Sequence, residues 1–204
     1  INLAHSQTNG AQVLFYDFST GPAGCATPFD GYPGADDIET MYPFTNMYYT
    51  GAAESTVDIL DDVEAVSDIY PATGWPNAFG TISGTIYVPL RANTPQKAQF
   101  TGANVVARNV ANPWRDATSA MSGDLSQGLA GPDGTYVFHG LTPGASYVVF
   151  NDVIVAGGFP TPSPTVQPGP EEYWNGSQES GNGVTDDRCA SIPIAPVAGS
   201  PTIA

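Results

Sequence analysis

Positive charge is scarce in this 204-residue chain: four arginines and one lysine, Lys97, stand against twenty acidic residues, for a formal net charge of −15. A surface so short of cations cannot neutralise a run of phosphates, which excludes nucleic acid and anionic bilayers as partners. The acidity itself reads as solubility rather than as a signal for a cationic partner. Histidine is scarcer still, with only His5 and His139. Two cysteines, Cys25 and Cys189, allow one disulfide in an oxidising compartment, pairing with residues outside the chain, or two free thiols. No apolar run nears the ~18 residues of a membrane helix, so membrane insertion is not expected. No basic-then-apolar leader follows Ile1, and a chain opening Ile1-Asn-Leu-Ala-His5 is expected to be processed or cut. What the chain has in quantity is turn-forming residues, 23 glycines and 19 prolines, alongside a 41% hydrophobic content. That combination fits turn-rich, secreted or cell-surface β structure better than disorder.

Two blocks read differently. Residues 1–72 are rich in Asp, Tyr and Gly and hold one convincing helix, Asp58 to Tyr70. Asp58 is placed to cap it, Asp61 and Asp62 fall in the first turn where the helix dipole favours anions, and Pro71 stops it. Leu60, Val63, Val66, Ile69 and Tyr70 form one apolar stripe, expected to face the core with the acids opposite. Residues 73–80 are a turn-forming linker. Residues 81–204 alternate strands and turns: Thr81–Val88, Ala103–Arg108, Thr135–His139 and Ser146–Phe150, punctuated by Pro132-Asp-Gly134 and Thr142-Pro-Gly144. Short strands at this spacing predict a β-sandwich, closed by the segments 171–176 and 192–199. His139 ends a predicted strand on the side opposite Phe138 and reads as a structural or surface residue without a role. Tyr173 and Trp174 read as structural aromatics or a binding face, and Asn175-Gly-Ser177 is a glycosylation sequon.

Three motifs in the first block stand in a telling order. Asn2-Leu-Ala-His5 resembles the end of the long metzincin zinc motif, His-Glu-x-x-His-x-x-Gly-x-x-His, with Asn2 at the glycine position. Asparagine tolerates left-handed backbone best after glycine, so that departure is mild. Glu39-Thr-Met41-Tyr-Pro43 resembles the Met-turn of matrixins, and the capped helix before Pro71 resembles the helix that finishes their catalytic domains. By this resemblance His5 is the third zinc ligand, Met41 the floor beneath the metal, and Tyr42, Pro43 and Phe44 part of a substrate pocket. Thr45 stands where matrixins commonly have tyrosine. The general-base glutamate and the other two histidines would come from an upstream segment. Asp30, Asp36, Asp37 and Glu39, in and just after a long insert from Thr8 to Ile38, offer oxygen ligands for calcium or a solvated loop surface. The later block resembles carboxypeptidase-regulatory-like, prealbumin-like sandwiches, through Gly84-Thr-Ile, Gly102-Ala-Asn-Val-Val-Ala and the run from Pro132 to Val149.

The expected fold class is therefore α+β: a partial metzincin C-terminal subdomain of loops, Met-turn and terminal helix, followed by an all-β sandwich. The expected function is a portion of a secreted zinc metalloendopeptidase acting on a protein or peptide substrate, inactive as this chain alone. The alternative is a non-catalytic extracellular structural or adhesive protein, assembling with copies or further domains of itself. In the first case three imidazoles hold zinc and leave one position for a water whose pKa falls to ~7.

Overall fold

The structure, a computed structural model, describes residues 9, 35–40, 60–75, 77–89, 97–123, 134–151, 172–176 and 189–204. These residues make a sheet-rich α+β arrangement: a 3-10 turn at Ala35–Asp37, one helix α1 (Leu60–Ile69), and nine strands. The strands are β1 (Gly80–Thr85), β2 (Tyr87–Pro89), β3 (Lys97–Gln99), β4 (Asn104–Asn109), β5 (Ala117–Met121), β6 (Thr135–Leu141), β7 (Tyr147–Asn151), β8 (Glu172–Tyr173) and β9 (Pro201–Ile203).

Three strands in the order β6-β1-β9 form one sheet, and four in the order β5-β4-β7-β8 form another; β2 and β3 pair separately. All pairings are antiparallel except β1 with β9. Period-two alternation sends Tyr136, Phe138 and, from the neighbouring strand, Ile82 to the inner face of the first sheet, where they are buried. Val105, Ala107, Tyr147 and Val149 supply the facing surface of the second, and all seven belong to one core cluster. Burying Phe138 alone stabilises by roughly 1.5–3 kcal/mol. The four-stranded sheet is covered on its other face too. There Val106, Val148, Phe150 and Tyr173 cluster, with Phe150 and Tyr173 stacked at 4.7 Å between ring centroids. Tyr173 is thus core rather than a binding face. Asn175 of the sequon is also buried, at 6% exposure, which does not suit an attached glycan.

The expected strand Thr81–Val88 divides at Ile86, whose amide donates to the Gly134 carbonyl at 2.9 Å and whose carbonyl accepts from Phe100. The strands β3 and β5 were not legible as strands. Lys97-Ala-Gln99 is too short for its alternation to signal a strand, Ala117-Thr-Ser-Ala-Met121 does not alternate, and both gain their place by pairing with a neighbour. Among the described residues no helix is long and apolar enough to cross a membrane.

The helix corrects the sequence reading in one respect. Its existence, its end before Pro71 and the packing of Leu60 against the core are as expected, but beyond that first residue it is turned the other way round. Val63, Val66, Ile69 and Tyr70 are exposed, at 41%, 48%, 44% and 62%, while Asp61, Asp62 and Glu64 are buried. The reason lies in the sheets beneath. Strands β5 and β6 are edges of their respective sheets, and an edge carries backbone amides with no ladder partner. The helix lies over both edges and presents carboxylates to those amides. Asp61 accepts from the Ser119 amide of β5 at 3.0 Å, and Glu64 accepts from the His139 amide of β6. A hydrophobic face laid there would have left those donors unpaired, at about 1–3 kcal/mol each.

Candidate functional site at the junction of helix and sheets

Glu64 and Asp68 lie one helical turn apart on α1, so their side chains share a face. That face meets His139 on the outer side of β6, the side opposite buried Phe138. One carboxylate oxygen of Glu64 takes the His139 backbone amide and the other takes the Thr118 hydroxyl. Both oxygens of Asp68 lie 3.0 Å from His139 Nδ1, and one also accepts from the Trp75 indole N–H at 3.2 Å. One ligand atom each from Glu64, Asp68 and His139 lies within 4.8 Å of the other two. Gly140 makes the arrangement sterically accessible. Its φ is +70°, and an added Cβ would come within 2.6 Å of the Trp75 ring, so the indole can lie against the strand only because this residue has no side chain.

The electrostatics follow from burial. Desolvation pushes the Glu64 carboxyl well above its usual range, against the lowering effect of its two hydrogen bonds, and nearby Asp68 and Asp61 push the same way. His139 is shifted up chiefly by its hydrogen bond to Asp68, with partial burial opposing. His139 is the sole basic partner that Glu64 or Asp68 has among the described residues.

A second polar centre ties the early part of the chain to the outer face of the four-stranded sheet. Asn9 is wholly buried and uses its amide and its side chain together. Its backbone N–H donates to Glu39 at 2.9 Å, its Nδ2 donates to the carbonyls of Asp37 and Trp114, and its Oδ1 accepts from Arg108 at 2.5 Å. Arg108, also wholly buried, donates to the Pro113 carbonyl and stands 4.9 Å from the Trp114 ring centre. Beside it Arg115 pairs with Asp36 and, at 3.0 Å, with Asp37. Three of the four carboxylates considered for calcium are therefore engaged here: Asp36 and Asp37 by Arg115, Glu39 by the Asn9 amide. Asp30 lies outside the described residues.

His5, Met41, Tyr42, Pro43 and Phe44 also lie outside the described residues, as does the N-cap Asp58. Cys189 is in a disulfide, and Cys25 is again outside. The cluster that the structure does assemble was missed from sequence. His139 was given no role, and α1 was read as a packing helix without chemistry. The available signal was the pair Glu64 and Asp68 at i, i+4, which reads equally as a solvated face. Nothing in the sequence brings His139 to it across 71 and 75 residues. Comparison of the chain with protein-family models, with curated proteins and with solved structures finds no match.

Proposed function

We propose that this chain is the C-terminal portion of an extracellular zinc metalloendopeptidase of metzincin type, with its carboxypeptidase-regulatory-like sandwich serving as a rigid buttress. On this reading His5 is the third zinc ligand, Met41 the floor of the zinc site, and Tyr42, Pro43 and Phe44 line the pocket for a protein or peptide substrate. The catalytic glutamate and two more histidines come from a preceding stretch, since His-Glu-x-x-His is absent from these 204 residues. The observation that carries the proposal is the order of third-histidine segment, Met-turn and terminal helix. The outward apolar stripe of α1 supports it, because Val63, Val66, Ile69 and Tyr70 offer a surface for the rest of a catalytic domain.

A second reading, a non-catalytic extracellular module that assembles with its own copies or further domains, draws on a different observation. The polar centre at Asn9 and the carboxylate contacts of α1 fasten the early block to the sheets, and a structural module would need no more than this. Intact mass and N-terminal sequencing of native material, with zinc quantified and peptidase activity assayed on the same sample, separate the two. A longer or companion chain bearing His-Glu-x-x-His, with activity lost in His5→Ala, supports the protease. Native material that begins at Ile1 and cleaves nothing refutes it.

A further inference from the structure

Apart from any site at His5, the junction of α1 and β6 has the features of a cation site. We propose that Glu64, Asp68 and His139 bind one divalent transition-metal ion of the zinc class, which fastens α1 to the edge of β6.

The donor set comes from two elements of regular structure rather than from loops. Glu64 and Asp68 are fixed by helical spacing and His139 by its place in a strand paired to β1. The 3.0 Å between His139 Nδ1 and each Asp68 oxygen matches the edge between neighbouring ligands around an ion with bonds of ~2.1 Å. The Glu64 oxygen lies within 4.8 Å of the other two donors, so a small side-chain adjustment brings it inside the ~4.2 Å that two such bonds can span. Each carboxylate is also steadied from behind, Glu64 by the Thr118 hydroxyl and Asp68 by the Trp75 indole, which is how outer-shell groups orient metal ligands.

Charge points the same way. A fully buried carboxylate is ordinarily paired, yet the charged groups acting on Glu64 are Asp68 and Asp61, both anionic. Among the described residues, the titratable group that β6 turns to the site is His139; β5 contributes the neutral Thr118 and the loop after α1 the neutral Trp75. One divalent ion would take the place of the proton that burial favours on Glu64 and of the His139 contact that Asp68 now makes, and would match the charge of both carboxylates. Two carboxylates and an imidazole favour zinc or manganese over calcium, which takes oxygen ligands throughout. Coordination requires Nδ1 to be unprotonated, so the ring proton sits on Nε2. The ion then replaces the direct contact between Asp68 and His139. Asp68 and His139 are 37% and 27% exposed at the side chain, which leaves room for water to complete the coordination sphere.

The test is titration of the full chain, freed of metal by chelation, with zinc chloride followed by calorimetry, in the wild type and in Asp68→Asn, His139→Gln and His5→Ala. The expected result is one saturable equivalent that raises the melting temperature. It should weaken more than about tenfold in Asp68→Asn and in His139→Gln, and stay unchanged in His5→Ala. Should either variant unfold, manganese added to the wild type gives a second readout. Paramagnetic broadening must then reach the His139 ring before the His5 ring. Zinc binding lost in His5→Ala and retained in His139→Gln would overturn this proposal while supporting the protease reading. Absence of saturable zinc binding in the wild type would overturn it as well.

Discussion

Truncating Glu64 and Val66 separately gives opposite answers depending on which way α1 faces. Glu64 receives two hydrogen bonds, from Thr118 Oγ1 and the His139 amide. Glu64→Ala strands both donors at about 1–3 kcal/mol each. Part of that is returned, because the substitution also removes a carboxyl that burial had already pushed well above its normal range. Water entering from the half-exposed flank of His139 returns a little more. A net loss of about 2–3 kcal/mol remains. Val66, at 48% exposure, has little to lose, and alanine is the better helix former by a few tenths of a kcal/mol. Val66→Ala is therefore expected within about 0.5 kcal/mol of wild type. Urea unfolding followed by tryptophan fluorescence measures both, since Trp75 lies against the junction. The Glu64→Ala midpoint should fall by about 1 M or more with an unchanged slope, and the Val66→Ala midpoint should stay in place. The reverse result, with Val66→Ala losing the 2–4 kcal/mol of a core truncation and Glu64→Ala neutral, would show that the apolar stripe faces inward and the orientation is wrong.

Other expectations can be checked with the same unfolding assay. Tyr147 is buried, donates to Asp116 at 2.5 Å and accepts from the Thr142 amide at 2.9 Å; burial, then the bond to Asp116, pushes its hydroxyl pKa up. Tyr147→Phe should destabilise by about 1–3 kcal/mol, visible as a lower melting temperature. His139 is shifted upward in the folded chain, so its stabilising contribution is full below the unfolded value of ~6.5 and fades as pH rises through the folded value. With chelator present, stability should therefore decline from about pH 6 towards pH 8 by more in the wild type than in His139→Gln. Glu64, also raised, acts with the same sign beginning at lower pH. Gly134 has φ +57°, and a Cβ there would come within 2.7 Å of the Ile86 carbonyl and the Phe100 amide. Gly134→Ala should thus destabilise by about 1–3 kcal/mol or more, since backbone rather than a movable side chain stands in the way.

Parts of this fold were legible because local chemistry and global packing agree. The strands β4, β6 and β7 came out within a residue or two at most of their ends, since their apolar residues serve the core that they build. The turn at Thr142-Pro-Gly144 was legible for a similar reason: Gly144 takes φ +77° and Ala145 closes back on the Thr142 carbonyl at 3.2 Å. Reading α1 failed at its orientation. Periodicity identifies a stripe, and the rule that stripes face inward assumes that the surface beneath is apolar. Here the surface is two strand edges, whose amides favour acceptors. The candidate site was illegible for a related reason: what holds Glu64 inward is in part the His139 backbone amide, which carries no side-chain signature. Long-range pairing did the rest, since His139 meets its partners only after β6 has been placed beside β1.

The seal that α1 makes has a bearing on how copies of this molecule can add to one another. In polymer terms, a sheet open on both edges is a bifunctional monomer and grows without limit, whereas a sheet open on one edge stops at a pair. The three-stranded sheet ends at β6 and β9. The β6 edge is occupied, its His139 amide given to Glu64 and its Thr135 carbonyl taken by Gly123. Among the described residues, the edge of this sheet left for strand addition is β9, where Ile203 is 80% exposed, and one added strand there would end the growth. Glu64→Ala frees the His139 amide on the second edge, so size-exclusion chromatography of that variant is expected to show more self-association than the wild type.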